Sequence, residues 1–357
     1  MKKKVFFLAI LASTLTLFAY GQSKNSFEIK TGVNISNWLS QSNLRGAERK
    51  AYFTRPDVEY IAKLGYDHVR IPIDEEQMFY EDGQKNPEAF GLLHDILGWC
   101  AEFHLRAVVD LHVLRSHDFN AKVKPLFTDP NAQEKFYECW RKISSELKKY
   151  SVDSVAYEPM NEPVADDAET WNVILNRCVE VIRELEPQRT IVLGSNRWQN
   201  FATVKDLRIP ENDPNLIISF HYYEPFLLTH YQASWTDNKD LTVPVHYPGQ
   251  LIADADMDAA KEHANDGRKI YNIDVIESNF LQVVEVAKEH NLKVFCGEYG
   301  CINAAPLADK IRWYKDLYTL FERYGIARAN WDYKGSFAII RHGVPQTEIS
   351  NAILGKE

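Results

Sequence analysis

GVNISNWLSQSN, residues 32–43, follows the first short apolar run of the chain. A doubly wound nucleotide-binding sheet would carry its glycine-rich phosphate loop at this point, with glycines for a tight turn and for close approach to a pyrophosphate. After Gly32 the stretch holds no further glycine and offers Asn, Ser and Trp instead. The competing architecture therefore gains weight, and the rest of the chain supports it. Short apolar or β-branched runs recur at residues 31–36, 67–73, 106–112, 154–160, 190–195, 216–222, 293–298 and 327–333. Amphipathic segments lie between them, at 55–65, 87–104, 131–150, 170–186 and 308–325, several beginning near Asp or Pro and ending at Gly as helix caps do. Strand and helix alternating around eight strands predict a closed parallel (β/α)8 TIM barrel.

One interval is unlike the others. Residues 223–292, rich in Tyr, Trp, His and Asp, separate the sixth and seventh runs, where one loop and helix need about 30 to 40 residues. A long loop insertion over the barrel mouth is expected there. No linker, repeat or low-complexity segment divides the chain, so residues 22–357 are expected to form one catalytic domain.

The chain has 357 residues, of which 45% are hydrophobic and 12% aromatic, enough for one large core. Lys2, Lys3 and Lys4, the apolar run from Val5 to Phe18, and small Ala19 and Gly21 read as a secretory signal peptide over residues 1–21. The apolar run is shorter than a bilayer span and is interrupted by Ser13, Thr14 and Thr16, so no stable membrane insertion is expected after cleavage. A secreted or periplasmic location follows. Loss of three lysines takes the formal charge from −9 to −12, which argues against nucleic acid as a partner. Nothing in the sequence sets an oligomeric state. Cys100, Cys139, Cys178, Cys296 and Cys301 are too few and too scattered for a disulfide scaffold, and no CxxC, HxH or HExxH spacing points to a metal or another cofactor. His112 and His117 lack a third ligand at suitable spacing.

In such a barrel the chemistry gathers at the carboxyl ends of the strands. The runs end on or near Asn34, Arg70, His112, Asn161 with Glu162, Arg197 with Trp198, His221 with Tyr223, Glu298, and Trp331. Two carboxylates among donors and rings fit glycoside hydrolysis, which needs one acid to protonate the leaving oxygen and a second to attack carbon or activate water. Glu162 and Glu298 are the candidates, each on its own also readable as a turn or strand-end acid. Glu158 lies one step deeper. It requires a cation, and Arg70 is the nearest plausible one.

The motifs HVRIPI, DLH, YEPMNEP, FHYYEPF, GEYG and the Trp of NWDYKG together resemble the family 5 glycoside hydrolases, the cellulase family of clan A, over nearly the whole chain after the leader. The resemblance implies Glu162 as acid/base, Glu298 as nucleophile and Asn161 as donor to the sugar 2-hydroxyl. It implies that Arg70 and Tyr223 hold the nucleophile, that His112 and His221 order the site, and that Trp331 floors the reacting sugar. Carboxylates about 5–5.5 Å apart and retention of anomeric configuration follow from it. The implied activity is an endo-β-1,4-glucanase acting on β-linked polysaccharide or oligosaccharide. A mannanase, mixed-linkage glucanase, xyloglucanase or exo-β-glucosidase on the same barrel is the alternative, and a silent carbohydrate-binding barrel a further one. Trp38, Trp198 and Trp235 are candidates for flanking sugar subsites, with packing of their own loops as the alternative. Gly297 and Gly300 are expected to leave room for sugar, and Cys296 to fill space beneath Glu298, facing inward.

Overall fold

The computed structural model describes residues 25–356; the expected signal segment, residues 1–21, lies outside them. Eight parallel strands close into a barrel: Thr31–Asn34, His68–Asp74, Arg106–Val113, Val155–Glu158, Ile191–Gly194, Leu216–Tyr222, Lys293–Tyr299 and Ala327–Asn330. Each pairs with its sequence neighbours, and the first pairs with the last, so no strand edge is left open. Helices Arg55–Leu64, Pro87–Glu102, Pro130–Leu147, Ala168–Leu185, Ile273–His290 and Leu307–Tyr324 occupy the connections. Asn86, Asp129 and Asp167 accept hydrogen bonds from first-turn amides, which explains where three of them start.

Alternation along the strands sorts residues into two layers. Val69, Ile71 and Ile73, Ala107, Val109 and Leu111, and Ile218 and Phe220 face the helices and form the larger core. Val108, Ala156, Val192, Ile217 and Phe295 fill the barrel floor, closed from below by Phe27. Above that floor the inward positions turn polar. They carry Arg70, Asp110, Glu158 and Ser219, all fully buried.

The seventh strand breaks this alternation. Phe220 pairs with Cys296, but the next residue, His221, pairs with Glu298, and the other neighbour shows the same one-residue slip. Gly297 is thus an inserted residue, a β-bulge. Val294, Cys296 and Tyr299 face the helices, so Cys296 is not the inward-facing filler expected from the sequence. Without the bulge, Glu298 would follow Cys296 to the outer face.

The segment between the sixth and seventh strands divides in two. Its first part stays near the mouth: Ile302 donates its amide to the Thr229 carbonyl, and Trp235 and His230 pack near Phe337. Its middle runs down the flank, where the Tyr247 amide donates to Asp309, the Tyr247 hydroxyl to Asp316, and Arg312 to the Tyr247 carbonyl. Only the first part therefore meets the expectation of a segment at the mouth, because the middle finds its hydrogen-bond partners on helix Leu307–Tyr324.

Candidate active site

Arg70, fully buried on the second strand, holds the centre of the barrel mouth. Its Nε donates to Glu158 Oε2 at 2.7 Å, Nη1 to Glu298 Oε1 at 2.7 Å and to Asn34 Oδ1 at 2.9 Å, and Nη2 to Asn161 Oδ1 at 2.8 Å. Asp110 lies 3.1 Å from Nη2. The pairing of Glu158 with Arg70 is the one expected for so deep an acid. One guanidinium thus serves three carboxylates, and Glu162 stands close by. The group is short of positive charge. Burial raises Asp110 to about 7 despite Arg70, and Glu158 also rises, again by burial against the pull of Arg70.

Glu298 and Glu162 meet here from the seventh and fourth strands. One carboxylate oxygen of each, with a ring nitrogen of His221, lie within 4.8 Å of one another. Tyr223 donates its hydroxyl to Glu298 Oε2 at 2.9 Å. His221 Nδ1 is 2.8 Å from Glu162 Oε1 and 3.6 Å from Glu298 Oε2. Burial holds His221 well below the usual imidazole range, so the ring is neutral. Burial also raises both acids. For Glu162 the charge of Glu298 adds to the rise and carries it well above the carboxylate range, whereas at Glu298 Arg70 and the Tyr223 hydroxyl oppose it. The proton of the pair therefore belongs to Glu162, and the charge to Glu298.

The rest of the expected set surrounds them. His112 Nδ1 lies 2.7 Å from Asp110 Oδ2, and Asn161 Nδ2 is 3.4 Å from His112 Nε2. Burial lowers His112 to about 4, so the ring is neutral, with its Nδ1 proton toward Asp110. Trp331 stacks on His112 at 5.5 Å, the two planes 10° apart. Trp198 and Trp235 present their rings to solvent, 45% and 55% exposed, on the loops after the fifth and sixth strands.

Trp38 does not belong with them. It is completely buried, packs on Phe53 and donates its indole N–H to the Arg49 carbonyl, so it holds its own loop. The two glycines also differ from expectation. A Cβ on Gly297 would lie 2.9 Å from Ser219 Oγ, and one on Gly300 would lie 2.2 Å from the Trp331 carbonyl oxygen. Both positions are small because the protein itself approaches them. All five cysteines are free and buried. Among the described residues the one group with the spacing for a metal ion is Glu162, His221 and Glu298, whose atoms already engage one another, Arg70 and Tyr223.

The sequence places Asn34 at a strand end without giving it a role, and it does not single out Asp332 or Gln199. Asn34 bridges Arg70 and the Gly297 carbonyl, to which its Nδ2 donates at 3.0 Å, so it secures the bulge. Asp332 accepts from Ser36 at 2.6 Å and from the Gly335 amide at 3.0 Å, tying the Trp331 loop to the first. Gln199 lies beneath Glu162. Asn34 carried a signal, as the end of the first strand; Gln199 carried none, because it follows its strand by five residues.

A closed parallel barrel with two close carboxylates, amides and rings at its mouth defines a barrel glycosidase. The profile of the family Cellulase (glycosyl hydrolase family 5) matches residues 28–336. Endoglucanase C of Acetivibrio thermocellus is 30% identical over 316 residues, 85% of this chain and 91% of that protein. Cellodextrinase A of Ruminococcus flavefaciens is 29% identical over 301 residues, 83% of each chain. A solved endoglucanase structure superposes with a TM-score of 0.76 at 25% identity, covering 92% of this chain and 97% of the other. The chain belongs to glycosyl hydrolase family 5. It is accordingly an O-glycosyl hydrolase with carbohydrate substrates.

Proposed function

We propose that the chain is a retaining endo-β-1,4-glucanase that works by double displacement between Glu298 and Glu162. The observation carrying this is the asymmetry of the pair: Arg70 and Tyr223 both donate to Glu298, while among the described residues the Glu162 carboxylate is bonded only to the neutral ring of His221. An ionised Glu298 attacks the anomeric carbon as protonated Glu162 gives its proton to the departing glycosidic oxygen. Glu162, now ionised, takes a proton from water, whose oxygen attacks the same carbon and expels the Glu298 carboxylate. One oxygen of each acid lies within 4.8 Å of the other, which suits the short carboxylate spacing of retaining enzymes better than the roughly 6.5–9.5 Å that inverting enzymes need to admit a water beside the sugar. Asn161, fixed by Arg70, is assigned to the sugar 2-hydroxyl, and Trp331, held flat on His112, to the face of the reacting sugar.

Proton NMR of the first-formed product tests the mechanism, and an inverted anomer refutes double displacement. Glu298→Ala supplied with azide is expected to give the glycosyl azide of inverted configuration. Carboxymethylcellulose and barley β-glucan are expected to lose viscosity faster than reducing ends appear. The relative named as a cellodextrinase makes short oligosaccharides the second substrate class to compare. Release of single glucose units from chain ends, or activity on mannan alone, would overturn the substrate and leave the acid pair standing. Export is proposed from the leader sequence, and intact mass from the native host tests for loss of residues 1–21.

A further inference from the structure

The loop after the fifth strand grips the loop that carries Glu162. The Glu162 amide donates to Gln199 Oε1 at 2.9 Å, and the Trp198 amide to the Pro163 carbonyl at 3.3 Å. Asn196 pairs with both backbone groups of Ala165, accepting at 2.8 Å and donating at 3.1 Å, and Arg197 donates to the Asp166 carbonyl at 2.8 Å. The gripping segment is held in an unusual backbone: Arg197, Trp198 and Gln199 have φ of 59°, 60° and 51°. Three consecutive non-glycine residues in the left-handed region persist only where their surroundings over-determine them. Glu162 shares that conformation, with φ of 44°.

Gln199 is the deepest element of this grip and is completely buried. Its Nε2 donates to Glu158 Oε1 at 2.9 Å and to Ser219 Oγ at 3.2 Å. Space for its side chain exists because residue 194 is glycine, where a Cβ would come within 2.4 Å of Nε2. The amide thus reads two things at once: the Glu158 carboxylate anchored on Arg70, and the main chain of Glu162. We infer that Gln199 is the positioning residue for the acid/base, registering Glu162 against the Arg70 centre and so against Glu298.

The inference rests on Glu162 being the acid, and the test separates the two. Glu162→Ala, Gln199→Ala and wild type are compared on barley β-glucan and on 2,4-dinitrophenyl β-cellobioside, whose leaving group needs no proton. Gln199→Ala is expected to lower kcat/KM on glucan about 10²-fold, the scale of a 1 Å misplacement, and on the aryl glycoside by no more than about threefold. Equal losses on both substrates, or no loss on glucan, would overturn the role of Gln199. If Glu162→Ala itself shows no such split, the acid assignment fails instead.

Gln199→Glu keeps the shape and the acceptor for the Glu162 amide, and decides the matter if the alanine variant does not fold. Protonated, its carboxyl donates to Glu158 in place of the amide; ionised, it repels Glu158. Its activity on glucan is therefore expected to fall at lower pH than wild type on the basic limb, while the aryl glycoside profile keeps its position. Coincident glucan profiles would overturn the proposal.

Discussion

Gly300→Ala should disable the enzyme without removing any side chain of the site. Gly300 has no positive φ, so alanine meets no left-handed backbone penalty there. The cost is contact: the added Cβ would lie 2.2 Å from the Trp331 carbonyl oxygen, where ordinary contact begins at 3.4 Å. The gap to be made up is about 1.2 Å, and the obstacle is backbone, which cannot rotate away as a side chain would. The Trp331 amide is held by the Tyr299 carbonyl at 2.8 Å, so the displacement passes to the indole and its stacking on His112. Overpacking of this kind costs about 1–3 kcal/mol of stability, and a shift of about 1 Å at a sugar platform about 10²-fold in kcat/KM. Gly98→Ala, in an exposed helical turn with nothing within 4 Å, is the matched control and should gain about 0.5–1 kcal/mol. Thermal melts and initial rates on barley β-glucan measure both. Wild-type rates with an unchanged Tm for Gly300→Ala would refute the argument that this glycine exists to seat Trp331.

Tyr223→Phe removes one charge-assisted bond to Glu298, worth about 1.5–3 kcal/mol, and should lower kcat/KM about 10- to 100-fold. Burial raises the Glu298 pKa and the hydroxyl opposes that rise, so without it the acidic limb of kcat/KM should move to higher pH; an unmoved limb counts against Glu298 as the ionised partner. Trp38→Ala should cost about 3–5 kcal/mol in unfolding with KM for glucan unchanged, whereas Trp331→Ala should lower activity far more than Trp235→Ala. Burial, partly offset by bonds from Ser36 and Gly335, raises Asp332 to about 6, above the unfolded value of about 3.9. Its contribution to stability is therefore complete below pH of about 4 and lost as pH rises toward 6, up to about 3 kcal/mol, so Asp332→Asn should flatten the decline of Tm across that interval.

The sequence by itself determined the barrel. Eight runs of β-branched or apolar residues separated by amphipathic segments have few ways to bury both faces of a parallel sheet, and the absence of glycine from residues 33–43 removed the main competitor. It also placed Glu162, Glu298, Arg70, His112 and His221 at strand ends, because strand ends are marked by local chemistry. What it did not contain was the direction in which some of those residues point. By a period of two, Glu298 belongs with Val294 and Cys296 on the helix side, and only the extra residue at Gly297 turns it inward. A bulge is a matter of register against two neighbouring strands, one about 70 residues earlier in the chain, so no local pattern announces it. Trp38 and Gln199 teach the same lesson. Whether an indole is a platform or a core residue, and whether a glutamine lies idle or under an acid, depends on which loops meet at the mouth once the barrel has closed.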